Sequence, residues 1–464
     1  MPKTQTNNRM KIRMNIVLGF IVVVGFGILI GKLYEIQVIK GEFYQGKALA
    51  QQLRPTTIPA QRGAIYDRNM KTLAASATVW TVTLSPAEMV QGDNDAQLEK
   101  IADFLAPLLS VEREKIIAHG QKKNSYYEII KARIEKDTAD QITQFCLENK
   151  ISCINLVEDT RRYYPYGSLA STVLGFTGND NCGAYGLEAY YEKTLAGTPG
   201  MVVASKTAKS GNMPDSYEKM YQPVDGNAVV LTIDEVIQHS LEKHLETAVI
   251  EHQVGNRAVA VAMDVQTGAI LGMATKNDFD PNNPRILVDP ATIAKIESMP
   301  EGEARQTALG QAQFDQWRNK AISDPYEPGS VFKIVTSCMA LDLHVVQPTG
   351  QYFNCPGYHI VAGRRKACWK AGGHGNIDFT QAVKYSCNPA FMMVGALIGA
   401  EKFNDYFDRF GLKEPTGIDL PGEAEGFFYP NFVELDKQSE EYLASSSFGQ
   451  TFKVTPIQII TAVS

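Results

Sequence analysis

The sequence predicts an α+β protein: a single N-terminal transmembrane helix, an elongated first domain, and a second domain of antiparallel sheet with helices. Three observations carry that expectation. The 464 residues exceed what one compact core holds. An almost purely apolar run extends from Ile16 to Ile30. Near residue 226, glycine- and aromatic-rich segments give way to a helical pattern followed by a strong hairpin signal.

Extended to 14–34, the apolar run supplies about twenty residues, enough for the roughly 30 Å hydrocarbon core of a bilayer. Lys32 and Tyr34 suit the far interface. Lys3, Arg9, Lys11 and Arg13 precede the run, so the positive-inside bias keeps the tail 1–13 cytoplasmic and the rest extracytoplasmic. The residues that follow, "GKLYEIQVIKGEF", are bulky or charged where a signal peptidase needs small ones, so an uncleaved anchor is expected. The first domain is expected over 35–225. Within it, "TTIPAQRGAIYDRNMKTLAAS" reads as strand, turn and strand, with Asp67, Arg68 and Asn69 in the turn. "DAQLEKIADFLAPLL" places Leu98, Ile101, Phe104 and Leu105 on one helix face. Polar "SYEKMYQPVDGN" reads as the connector, and the second domain is expected over 226–464. Its first helix is expected to start from Thr232 as N-cap, with Glu235 closing a capping box. Ile237, Leu241, Leu245 and Val249 would form its buried stripe. "RAVAVAMDVQTGAILGMAT" then gives two strands around a Gln-Thr-Gly turn.

Composition narrows the function. A hydrophobic content of 44% and a charged content of 21% are those of an ordinary globular chain. A net charge of -6 gives no electrostatic case for a nucleic-acid partner. The seven cysteines are an odd number and too sparse to frame the fold with disulfides.

The chemistry concentrates in "DPYEPGSVFKIVTSCMA" (324–340). Pro328 and Gly329 end a loop, so Ser330 sits in the first turn of an apolar helix. Lys333 is three residues on, which puts it on the same side with Cβ atoms roughly 5–6 Å apart. A serine hydroxyl becomes a nucleophile when a base takes its proton, and a desolvated lysine can be that base. On those residues alone, a serine helix cap explains the pattern as well. In "GGHGNIDFTQAVKYSCNPAFMMVGALIG", Ser386, Cys387 and Asn388 lie between two helical stretches. The hydroxyl can relay a proton and the carboxamide can hold both the lysine and a substrate amide. A helix-end asparagine before Pro389 is the plain alternative.

Together these segments resemble the class B penicillin-binding proteins, membrane-anchored peptidoglycan D,D-transpeptidases with Ser-x-x-Lys and Ser-x-Asn elements. "RGAIYDRN" (62–69), "RYYPYGSLASTVLGFTG" (162–178) and "YGLEAYYEKTLAGTPG" (185–200) are similar to segments of the family's N-terminal pedestal. "AMDVQTGAILGMAT" (262–275), "YEPGSVFK" (326–333), "GHGNIDFTQAVKYSCNPAF" (373–391) and "SFGQTFKVTPIQ" (447–458) are similar to transpeptidase segments, in the family's order. The resemblance implies Ser330 as nucleophile on a D-Ala-D-Ala stem peptide, Lys333 as its base, Ser386 as proton relay and Asn388 as positioning residue. It implies inhibition by β-lactams, no cofactor, a membrane glycan polymerase of the SEDS type as partner, and other division, elongation or sporulation proteins nearby. It places the protein in the bacterial cell membrane. Arg62, Asp67, Arg68 and Glu188 are expected to form a salt-bridged frame in the pedestal.

The family's third element, Lys-Thr-Gly or Lys-Ser-Gly on the strand beside the nucleophile, does not occur between Ser330 and Ser464, so a C-terminally truncated transpeptidase domain is expected. A non-catalytic membrane-tethered scaffold is the alternative that this leaves. A hydrolytic enzyme of the same superfamily would need a poised water, for which Glu423 is the one tempting residue. Cys387 could pair with Cys368 or Cys355 as a disulfide, which would pull Ser386 and Asn388 out of line. Zinc at Cys355, His359, Cys368 and His374 matches no standard spacing.

Overall fold

The computed structural model describes residues 8–35, 53–89, 94–205, 218–255, 257–429 and 437–464. The chain divides into two compact units, Met1–Ala60 with Thr198–Val224, and Gln61–Gly197 with Asp225–Ser464.

In the first unit, the expected anchor segment 14–34 falls inside one helix, Asn8–Tyr34. Among the described residues, no helix is long and apolar enough to cross a membrane. The same unit holds a three-stranded antiparallel sheet in which Gly200–Ser205 pairs with Leu53–Ile58 on one side and Glu218–Tyr221 on the other.

The second unit opens with a five-stranded sheet built around Thr72–Leu84. This strand is rich in Thr and Val, which suit a pleated, half-buried surface. It pairs antiparallel with Ile65–Tyr66, Glu128–Ile134 and Ile154–Tyr163, and Val229–Val230 joins Ile65–Tyr66 in parallel. The turn expected at Asp67 is present, and its cause is visible. The buried Asp67 carboxylate accepts the N–H groups of Asn69 and Lys71, both at 2.8 Å, and that of Glu235 at 3.2 Å. The helix Asn94–Leu109 buries Leu98, Ile101 and Leu105 against this sheet's core, and Phe104 stacks on Phe145 with centroids 3.8 Å apart.

The helix Glu235–Glu251 corrects two expectations. Its N-cap is Asp234, whose carboxylate accepts from the N–H groups of Val236 and Ile237, while Thr232 donates its hydroxyl to Ile270 O. A carboxylate both caps the orphan donors and complements the helix dipole, so it prevails over a nearby threonine. The apolar stripe is half-buried, and the most buried side chain of the helix is Gln238. Its carboxamide accepts from Met273 N at 2.7 Å and donates to Met273 O at 2.9 Å, pinning the helix to the strand Ile270–Lys276. That strand pairs antiparallel with Ala258–Met263, and Gly268 turns the hairpin at φ +72°.

The helices Lys333–Asp342, Asn388–Ile398, Ala400–Arg409 and Lys437–Ser446 surround a core in which Phe332, Phe391, Phe403, Phe407 and Phe452 are fully buried. Phe332 lies edge-on to Phe452 at 4.7 Å, so the residue between Ser330 and Lys333 on the buried side anchors the nucleophile's turn in this core.

Candidate active site

A 3-10 turn, Gly329–Phe332, runs directly into the helix Lys333–Asp342. Gly329 has φ +59°, and its N–H donates to Gly449 O at 2.8 Å. Gly449 itself has φ +85°, and a Cβ there would stand 2.0 Å from Gly329 O. Only glycine meets both demands at that contact. The segment 447–454 clamps the turn further. Thr451 N–H donates to Glu327 Oε1 at 3.0 Å, the Thr336 hydroxyl donates to Ser447 O at 2.9 Å, and Tyr326 and Val454 exchange backbone bonds. The result is an exposed Ser330 on a turn fixed from behind, with Lys333 only 4% exposed beside it.

The partner loop is fixed as firmly. Helix Phe379–Lys384 starts from a capping box between Asp378 and Gln381. It ends in a bend where the N–H groups of Ser386 and Cys387 donate to Val383 O and Ala382 O, both at 3.0 Å. Ser386 takes φ +48°, a sparsely populated conformation for a serine that persists only where neighbours hold it. Asn388 then opens the helix Asn388–Ile398, with Pro389 in its first turn.

The two elements meet at Lys333. Its Nζ lies 3.2 Å from Ser330 Oγ, 2.8 Å from Ser386 Oγ, 2.9 Å from Ser386 O and 2.7 Å from Asn388 Oδ1. All four oxygens are neutral. An ammonium has three protons for these four acceptors, and a neutral amine keeps a lone pair that can face Ser330. Burial lowers the Lys333 pKa to about 8, against the opposing pull of the Cys387 and Cys368 thiols. Roughly a tenth of such a lysine is uncharged at neutral pH, against well under a thousandth of an unperturbed one. The arrangement therefore holds an accessible alcohol, a partly neutral base, a second hydroxyl and a carboxamide around one nitrogen.

All four residues singled out from the sequence come together here. Other expectations change. Glu423 accepts from the N–H groups of Thr416 and Gly417 at 2.7 and 3.0 Å and from the Thr416 hydroxyl, so it staples its own loop rather than poising a water. In the pedestal, the fully buried Glu188 takes Arg62 Nε at 2.6 Å and Arg162 Nε at 2.7 Å. Arg68 is exposed and contributes its backbone N–H to Ile233 O, so Arg162 is the frame's second arginine. All seven cysteines are free thiols, so the bridge from Cys387 to Cys368 or Cys355 is not formed. Cys355, Cys368 and His374 do gather, but with Cys387 in place of His359. Gly449 carried no assigned role in the sequence; only its place in the segment 447–458 pointed toward it. A cavity of about 640 Å³ in the same unit, bordered by Leu231, Met263, Ile270 and Leu420, is lined by none of the four candidate catalytic residues.

Residues 57–231 match the penicillin-binding protein dimerisation domain and residues 258–464 the penicillin binding protein transpeptidase domain. Over 461 residues the chain is 35% identical to stage V sporulation protein D of Bacillus subtilis (strain 168), an alignment covering 99% of this chain and 65% of that protein. It is 28% identical over 454 residues to a probable peptidoglycan D,D-transpeptidase, PenA, of Neisseria meningitidis, covering 97% of this chain and 70% of that one. The chain thus spans less than two thirds of the Bacillus relative. Penicillin Binding Protein 2X from Streptococcus thermophilus matches with a TM-score of 0.66 at 23% identity, over 89% of this chain and 59% of that one. PBP2 of Helicobacter pylori, solved in complex with MreC, gives 0.67 at 22%, over 88% and 75%. At these identities the structural likeness speaks for the α+β fold. A dimerisation domain followed by a transpeptidase domain, both matched in sequence, is the family's organisation: the chain belongs to the class B penicillin-binding proteins.

Proposed function

We propose that this chain carries the acyl-transfer machinery of a peptidoglycan D,D-transpeptidase that is acylated by β-lactams. The observation that carries this reading is a buried lysine, 3.2 Å from an exposed serine hydroxyl, whose four hydrogen-bond partners among the described residues are neutral oxygens. In the first step the neutral Lys333 takes the Ser330 proton as Oγ bonds the carbonyl carbon of the penultimate D-Ala. Lys333 returns that proton through Ser386 Oγ to the terminal D-Ala nitrogen as the C–N bond breaks, leaving an ester on Ser330. Asn388 keeps Lys333 in line and offers its amide to the substrate. The amine of a second stem peptide then attacks the ester, its proton passes back along the same route, and Oγ leaves as the cross-link forms. A β-lactam follows the first step alone, its ring nitrogen remaining tethered to the acyl group.

The same reading gives a cytoplasmic tail at 1–13, a membrane anchor at 14–34, a pedestal at 35–225 and a transpeptidase domain at 226–464. The apolar surface of the first helix supports the anchor: Ile16, Leu18, Phe26 and Ile30 are each more than 60% exposed. Anchor and pedestal would meet a SEDS-type glycan polymerase and other division, elongation or sporulation proteins. Labelling with a fluorescent penicillin tests the reading. A band that disappears in Ser330→Ala is expected; a folded chain that gives no band would favour the scaffold alternative.

A further inference from the structure

Cys387 lies between two residues that bond Lys333, yet its own side chain is fully buried and turned to a different group. The ligand atoms of Cys355, Cys368, His374 and Cys387 all lie within 4.8 Å of one another. They come from four separate segments. Cys355 ends the strand Tyr352–Cys355, Cys368 follows Arg364–Ala367, His374 precedes Gly375–Asp378, and Cys387 precedes the helix Asn388–Ile398. His374 Nδ1 stands 3.5 Å from Cys368 Sγ and 3.8 Å from Cys355 Sγ. In a tetrahedral zinc site, Zn–S bonds of about 2.3 Å and Zn–N bonds of about 2.1 Å put neighbouring ligand atoms about 3.6–3.8 Å apart. The two separations from His374 Nδ1 are close to that length, and the remaining pairs lie within 4.8 Å.

Hydrogen bonding is a poor account of the group, because thiols are weak donors and weak acceptors. Among the described residues His374 Nε2 is buried without a hydrogen-bond partner, so that nitrogen does not hold the ring. The ring is set by its Nδ1 edge and by parallel stacking on Tyr385, with centroids 5.5 Å apart. The backbone is shaped to bring the ligands in. His374 N–H donates to Cys355 O at 3.0 Å and Cys368 N–H to Gly357 O at 2.8 Å. Gly373, at φ +76°, lets the His374 loop approach so closely that a Cβ there would stand 2.1 Å from Cys355 O.

We propose that Cys355, Cys368, His374 through Nδ1, and Cys387 bind one structural zinc ion, which holds the Ser386–Cys387–Asn388 turn against Lys333. Three sulfurs and one imidazole nitrogen are a soft set that favours zinc over magnesium or calcium. Four protein ligands leave no open position, so the ion holds structure and takes no part in chemistry. Binding releases the three thiol protons to solvent and changes no oxidation state. The metal site stands apart from the acyl-transfer reading; only its effect on Lys333 rests on it.

The test uses the full chain, made without a histidine tag, purified in detergent under argon and loaded with zinc. About one zinc ion per chain is expected, falling to background in Cys368→Ser/His374→Ala and unchanged in Cys338→Ser, whose thiol is exposed and outside the group. Loading the unmutated chain with cobalt instead is expected to give the intense visible bands of a tetrahedral cobalt thiolate, a readout that does not depend on a variant folding. No zinc after loading, a pale octahedral cobalt spectrum, full zinc content in the double variant, or a disulfide joining two of the three thiols would each overturn the site. For the positioning role, a chelator is expected to slow penicillin labelling at least tenfold, and Cys368→His, which keeps a zinc ligand, to retain it where Cys368→Ala does not. Labelling that is indifferent to zinc overturns that role while leaving the metal content to stand by itself.

Discussion

Asn388→Asp is nearly isosteric and places a carboxylate oxygen where Asn388 Oδ1 now stands, 2.7 Å from Lys333 Nζ. At that distance the attraction is about 6 kcal/mol at an effective dielectric of about 20, and about 1.5 kcal/mol in the limit of bulk water. Since about 1.4 kcal/mol corresponds to one pKa unit, the lysine rises by roughly one to four units. From about 8, it moves to about 9 or above. The neutral fraction at pH 7 then falls from roughly a tenth to about a hundredth or less. If neutral Lys333 is the base, penicillin labelling at pH 7 slows about tenfold or more and recovers as the pH is raised. The sign of the stability change is opposite. A lysine whose folded pKa lies below its unfolded one weakens the fold, because between the two values the unfolded chain binds more protons. At pH 7, below both values, that penalty is present in full, and raising the folded pKa toward 10.5 reduces it, so the variant melts higher than the parent at neutral pH. The assay is a labelling rate at several pH values, with a thermal melt at pH 7. A variant that labels at the parent's rate at pH 7, or whose deficit is the same at every pH, would refute the general-base argument.

Further substitutions probe the frame of the fold and the turn that carries Ser330. Glu188→Ala leaves Arg162 buried without its carboxylate and leaves Arg62 with Glu192 at 2.7 Å, which should cost about 3–5 kcal/mol in a denaturation experiment. Gly449→Ala forces a Cβ to within 2.0 Å of Gly329 O at a φ of +85°. A displacement of the Ser330 turn on the order of 1 Å should slow labelling about a hundredfold, well beyond any loss of folded protein. Asp234→Ala removes the cap of the helix Glu235–Glu251 and should lower stability by about 1 kcal/mol, whereas Thr232→Ala leaves that cap in place.

Local chemistry was readable from the sequence, and long-range convergence was not. The pair Ser330 and Lys333 is one helical turn, so spacing alone brings them near each other. That Ser386 and Asn388 meet the same nitrogen across more than fifty residues has no periodicity behind it; only the ordered run of family-like segments pointed to it. The turn at Asp67 was legible because its carboxylate bonds backbone within four residues. The frame around Glu188 was half legible. Arg62, Arg162 and Glu188 all stood in recognised segments, but no spacing aligns the strand of Arg162 with Glu188, so its place in the frame appears only in the fold. Thr232 and Asp234 are both cap-forming residues two positions apart, and pattern cannot choose between them. Tertiary contact decides, since Ile270 O claims the threonine hydroxyl. Gly449 is one of 37 glycines, and its role appears only when Gly329 O lies against it. The cysteine and histidine group was obscured in the same way. His359 is nearer in sequence to Cys355, but it sits in the strand Tyr358–Val361 opposite Lys366, whereas Cys387 comes in from the far side of a helix.

The most direct measurement of the central claim is peptide mapping of the penicillin adduct, with its formation rate followed from about pH 6 to about pH 9. The account predicts one adduct, on Ser330, forming faster as the pH rises, with a midpoint near the Lys333 value of about 8. An adduct on another residue, one that survives Ser330→Ala, or a rate that does not change over that range would contradict it.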